Sequence, residues 1–213
     1  MSVKRGLKDF QDDLDGTGGK IRYMKLDDKQ TVTVQFLDDL DDSPAVGAGA
    51  GKAALISEHK SPHNFKRKAQ CTRDMESEGE RCYACDKAIA TPKSGWGRTK
   101  RLYVNVLVDD GKDEPYVAVW NMGVARNAAW DILLDEFLES GSIADTPWRV
   151  RRSGKDTATT YTIKRLEGGP ADFAAFERFD LDEVTRLIPY DEQEAHYAGQ
   201  VEAAPAEDAT EEW

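Results

Sequence analysis

KRLYVNVLVDDGKDEPYVAVWN, residues 100–121, is the stretch that decides the fold. Leu102, Val104, Val106 and Val108 fall on one face of an extended chain, and Arg101, Tyr103 and Asn105 on the other. That period of two is the mark of a strand with one buried face. A second alternating run, EPYVAVWN (114–121), follows across the turn segment DDGKD, so the two form a hairpin. Working outward, QTVTVQFL (30–37) and KAALISEH (52–59) read as strands before it, and PWRVRR (147–152) and ATTYTIKRL (158–166) as strands after it. VARNAAWDILLDEFLES (124–140) carries Trp130, Leu133, Leu134, Phe137 and Leu138 at helical spacing. A short helix from Leu181 to Ile188 stops at Pro189. Short strands, one helix before the last hairpin and no βαβ rhythm predict a mainly β protein. The small barrel of the OB-fold, five strands in a Greek key, has this character.

The chain has 213 residues and a formal net charge of −11, distributed unevenly. Residues 52–166 hold 20 Lys/Arg against 16 Asp/Glu, whereas residues 167–213 hold 2 against 14. A mildly basic core with an acidic tail is expected to meet a polyanion quite differently from a uniformly acidic protein. No apolar run approaches the length of a membrane span, and MSVKRGLKDFQDD lacks the apolar region of a secretory signal. The expected location is cytoplasmic, where thiols stay reduced or bind metal. Residues 1–19 read as a loosely held arm, 20–189 as the core, and 190–213 as a disordered acidic tail. The motifs GxxxxGK[ST], HExxH and GxSxG are absent, so no enzyme is expected.

All three cysteines and two of three histidines lie in HKSPHNFKRKAQCTRDMESEGERCYAC, residues 59–85. A Cys-x-x-Cys turn places two thiolates on one ion, and Cys82 and Cys85 supply it. Cys71 is the third ligand, and His59 and His63 are both within reach as the fourth. His59 ends a strand, which fixes its direction, and is preferred over the loop residue His63. Four protein ligands imply one structural zinc rather than a catalytic one, which keeps a position open. The subdomain it organises spans residues 59–90.

Cations and aromatics are interleaved around this segment. FKRK contributes Lys66, Arg67 and Lys68, and KSGWGRTKRLY contributes Lys93, Trp96, Arg98, Lys100, Arg101 and Tyr103. WRVRR adds Arg149, Arg151 and Arg152, with Arg149 and Arg151 opposite Trp148 and Val150. Trp130 and Trp148 read as core; Trp120 is a further stacking candidate. Binders of single-stranded nucleic acid use this mixture, cations along the phosphates and rings under the bases.

The order of these features resembles the zinc-containing single-stranded DNA-binding (helix-destabilising) proteins of tailed bacteriophages, of the T-even type. The resemblance covers about residues 20–166 and is most specific where His59, Cys71, Cys82 and Cys85 fall in order. It implies an OB-fold with an inserted zinc subdomain, a cleft between them for single-stranded DNA, and a place in replication, recombination and repair. The acidic tail, ending on Trp213, is expected to dock replication proteins such as a polymerase or helicase. The alternative is a zinc-dependent protein-interaction or transcription-regulatory module.

Overall fold

The computed structural model describes residues 21–41, 49–74, 81–124, 128–155, 158–185 and 187–199. The expected arm at 1–19 and Trp213 lie outside them. In chain order the strands are β1 (Thr31–Phe36), β2 (Asp38–Asp39), β3 (Gly51–Lys52), β4 (Ala54–Lys60), β5 (Lys68–Gln70), β6 (Arg98–Asp109), β7 (Tyr116–Gly123), β8 (Pro147–Ser153) and β9 (Thr160–Arg165). The helices are α1 (Tyr83–Ala90), α2 (Ala128–Ser140), α3 (Leu181–Thr185) and α4 (Tyr190–Ala198). Among the described residues no helix is long and apolar enough to cross a membrane.

The twelve-residue β6 organises the sheet. Its first half pairs with β4, from Arg98 opposite His59 to Tyr103 opposite Ala54, and its last residues pair with β1. Its other edge carries β7, which makes the expected hairpin across residues 101–123. The main path runs β5-β4-β6-β1-β8-β9. Trp120 on β7 meets Tyr161 on β9 with ring centroids 5.7 Å apart, so these two strands approach across the interior and the sheet curls. The enclosed core holds the alternating residues Val32, Val34, Phe36, Leu102, Val104, Val106 and Val108, with Trp120, Trp148, Val150 and Ile163. Phe36 stacks on Trp120 at 6.1 Å and meets Trp148 edge-on at 6.0 Å. The helix read from 124–140 adds Ala129 and Leu133 to the core, with Trp130 and Phe137 packed against it. Leu138 points to solvent.

The outward face of β6 is covered rather than exposed. Tyr103 packs with Val119 and Leu181, against Ile21, Tyr23, Phe179 and Val184. Asn105 anchors this cover: its Nδ2 donates to the Phe179 carbonyl at 3.0 Å, and the Phe179 amide donates to its Oδ1 at 3.0 Å. The Asn105 backbone and side-chain N–H groups both donate to Asp38 Oδ2, at 2.6 and 2.9 Å. Burial pushes the Asp38 carboxyl above its usual range, against the pull of those Asn105 bonds and of Arg178.

The expected disordered tail from 190 requires correction at its start, because residues 190–198 form α4. Gln193, His196 and Tyr197 are buried at i, i+3 and i+4, one face of a helix. Two of these three side chains are polar, so an apolar period is missing from the sequence although the face is buried. Gly199 ends the helix in the left-handed conformation (φ 77°), which glycine adopts without penalty.

Asn105→Ala removes the side-chain bonds to both Asp38 and Phe179. The expected loss is about 1–3 kcal/mol, the cost of leaving buried polar partners unsatisfied. A denaturant midpoint equal to that of the native chain contradicts this role for Asn105.

Candidate metal centre

Three segments distant in sequence converge on one point. His59 is the next-to-last residue of β4, the chain after β5 delivers Cys71, and Cys82 caps α1, which carries Cys85 in its first turn. His59 Nε2 and the three thiol sulfurs all lie within 4.8 Å of one another. Cys85 Sγ is 3.3 Å from His59 Nε2 and 3.6 Å from Cys71 Sγ. His59, Cys71 and Cys82 are buried, Cys85 is partly so, and no disulfide joins them. This set can hold a metal ion. His63 is exposed, its ring beside that of Trp96 at 6.5 Å, and takes no part.

The backbone builds the site locally. The Cys71 amide donates to the Ser57 carbonyl at 2.7 Å, extending the β4–β5 ladder by one step and bringing Cys71 beside the His59 strand. Cys82 is the N-cap of α1, where helix amides and the dipole favour a thiolate. His59 Nδ1 lies 2.9 Å from the Trp96 carbonyl. A carbonyl only accepts, so Nδ1 carries the proton and Nε2 is the nitrogen left to face the sulfurs. Metal-bound histidines ordinarily have such a second partner, which fixes the tautomer and the ring.

Electrostatics inside the cluster follow from this crowding. Burial lowers the His59 pKa, but hydrogen bonds with Cys82 and Cys71 and the charge of Cys82 outweigh it, and the imidazole is held at about 9. Burial raises the Cys82 thiol, but the His59 contact and the Cys85 and Thr72 amides draw it below the usual thiol range. Burial and the neighbouring sulfurs push Cys85 up.

The remaining candidates divide. Lys66, Lys93, Arg98, Lys100, Arg149 and Arg151 are exposed, and Arg67 and Lys68 are half-buried. As the strand alternation requires, Trp148 and Val150 are buried between the exposed arginines of β8. Three stacking candidates need correction. Trp96 packs in the core of the Cys subdomain, Trp120 is 1% exposed in the main core, and Tyr103 lies under the 179–184 segment with its hydroxyl donating to Glu58 at 2.6 Å. Each ring is walled off, so none offers a face to a base. Two arginines are also structural. Arg101, 15% exposed at its side chain, donates to Asn121 Oδ1 at 2.6 Å and lies 3.7 Å from Glu58 Oε1. Arg152 donates to the Leu26 carbonyl at 2.6 Å and to Thr159 at 3.2 Å. The sequence reading missed Phe65, an aromatic 58% exposed beside Lys66; its place inside a basic run was the available signal.

Comparison of the chain with protein-family models, with curated proteins and with solved structures finds no match.

Purified protein is expected to bind one metal ion per chain. His59→Ala should weaken metal retention at least tenfold, while His63→Ala leaves it unchanged, as measured by chelator competition. Metal binding needs a neutral imidazole and thiolates, so protons compete for the site. With His59 raised from 6.5 to about 9, apparent affinity should climb as pH rises toward 9. A pH-independent affinity between 6 and 9 contradicts this assignment.

Proposed function

We propose that this protein binds single-stranded DNA without sequence preference, and that a structural zinc ion organises part of its binding surface. Three cysteines and a histidine suit zinc, which favours a closed tetrahedron of N and S ligands. The curled sheet formed by β7, β6, β1, β8 and β9, with a helix between β7 and β8, supports an OB-fold barrel bearing the zinc subdomain between β4 and β6.

One observation carries the reading: Arg149 and Lys164 stand directly opposite each other on β8 and β9, both exposed, with Arg151 two residues along the same face. Like charges directly opposite across a ladder destabilise a sheet. A strand of phosphates relieves that repulsion, and releasing its counterions adds to the affinity. Their ladder neighbours are small and polar: Thr31 and Thr33 on β1, Thr162 on β9. A second cationic edge lies where the Cys subdomain meets the sheet. Arg98 and Lys100 align there with His59 and Ser57, and the β4–β5 loop exposes Phe65 and Lys66. Phe65 is the ring proposed to stack on a base, in place of the buried Trp96, Tyr103 and Trp120.

The acidic end of the chain has a part in this proposal. Gly199, at the end of α4, lies close to Asn64 of the β4–β5 loop that carries Lys66, and residues 200–213 follow it in sequence. Their carboxylates (Glu202, Glu207, Asp208, Glu211, Glu212) compete with DNA at low salt, and DNA binding frees the segment for replication proteins.

Labelled homopolymer single strands should bind far more tightly than duplex, with log K falling against log[salt] at a slope of about −0.7 per phosphate neutralised. Charge reversal at Arg149 should weaken all sequences alike, and Phe65→Ala should cost about 1–3 kcal/mol. Equal affinity for duplex and single strands, or none for either, overturns the reading and favours an interaction module.

A further inference from the structure

The helix α4 packs on the segment that carries the cysteines. Gln193 Oε1 accepts from the amide of Tyr83, the residue that follows Cys82 in the CYAC turn, at 2.9 Å. Its Nε2 donates to the Ile188 carbonyl at 2.8 Å and reaches Thr72 Oγ1, next to Cys71, at 3.5 Å. His196 Nε2 donates to the carbonyl of Lys68 on β5, at 2.9 Å. Glu194 accepts from the Tyr83 hydroxyl at 3.0 Å, and Arg81 donates to the Tyr190 hydroxyl. The helix thus holds both arms of the ligand set, the β5 arm and the α1 arm.

Tyr197 is the side chain of α4 at the centre of this packing. It is 2% exposed and shares a buried cluster with Cys71, Cys82, Ala84 and Trp96. Its ring meets Trp96 edge-on at 5.0 Å and stacks on Tyr83 at 6.2 Å. Its hydroxyl is buried with no hydrogen-bond partner. An orphaned phenol in a packed cluster costs stability unless another state of the protein uses it. The chemistry of the site supplies that use. Three thiolates and a neutral imidazole around a divalent ion leave a net charge of about −1, and a buried charge requires hydrogen-bond donors.

We propose that Tyr197 is a positioning residue of the metal centre, whose hydroxyl donates to a cysteine thiolate when the metal is bound. The docking of α4 and the binding of metal are therefore coupled. This rests on the metal-centre reading above and adds to it that the C-terminal helix completes the site. By linkage the coupling is reciprocal: metal tightens the helix, and the helix tightens metal. Loss of the ion then loosens the segment from which residues 200–213 depart.

The test uses the full chain loaded with Co²⁺ as a spectroscopic probe. Tyr197→Phe keeps the ring and its packing and removes only the donor. It should lower metal affinity at least tenfold, the lower end of the effect of removing such a partner. It should also shift the thiolate-to-cobalt charge-transfer bands, which a merely structural role leaves unmoved. Tyr83→Phe, which removes a hydroxyl bonded to Glu194, should leave those bands in place. In the native chain, chelation should raise amide hydrogen exchange across residues 190–198 at least tenfold. Unchanged bands and affinity in Tyr197→Phe, or unchanged exchange on chelation, overturn the inference while the metal centre stands. A native chain that takes up no metal overturns both.

Discussion

The hydrogen bond between His59 Nδ1 and the Trp96 carbonyl is the constraint on which the candidate metal centre depends. It ties the end of β4 to the chain just before β6 and aims the free ring nitrogen at the sulfurs. A rotated imidazole would leave the site with three thiols and no fourth ligand. With the ring fixed, the chain between β4 and β6 is drawn toward a single point, although its described residues form only one short strand, a 3₁₀ turn (Thr72–Asp74) and an eight-residue helix. Elements so small rarely hold together on apolar packing alone, and a metal ion held by His59, Cys71, Cys82 and Cys85 would supply the missing cohesion.

The rest of the architecture delivers that constraint. β6 belongs to both halves: Arg98 to Tyr103 pair with β4 beside the Cys subdomain, and Val106 to Asp109 pair with β1 in the main sheet. The C-terminal segment then spans the same two regions. Its Phe179 and Leu181 cover the outward face of β6, and α4 caps the cysteines. The subdomain is therefore held from within by its ligand set and from outside by a segment that begins some 80 residues later. Such long-range closure is slow to form but confers cooperativity, because each piece orders the next.

Much of this was legible in the sequence. Alternation of valines and leucines at 102–108 identified the central strand and its inward face, and the turn DDGKD placed its partner. The spacing of Cys71, Cys82 and Cys85 and the strand-end position of His59 picked out the four residues that the fold brings together into a cluster able to hold a metal ion. The aromatic candidates failed for a reason that local sequence cannot reveal. Tyr103 alternates outward as expected, but residues 179–184, distant in sequence, roof it over. Trp96 sits in a glycine-flanked loop that reads as exposed, yet it becomes the core of a small cluster built around the thiols. The α4 face was hidden by its chemistry, since Gln193 and His196 are buried through hydrogen bonds rather than through apolar surface.

The central claim is that one metal-organised subdomain and the sheet beside it form a common surface for single-stranded DNA. The most direct measurement is the affinity of the full chain for a labelled oligonucleotide, at fixed salt, with the metal bound and after its removal by a chelator. The account expects affinity to fall at least tenfold on removal and to return when the metal is restored, because the loop bearing Phe65 and Lys66 loses its scaffold. An affinity that is the same with and without metal contradicts it.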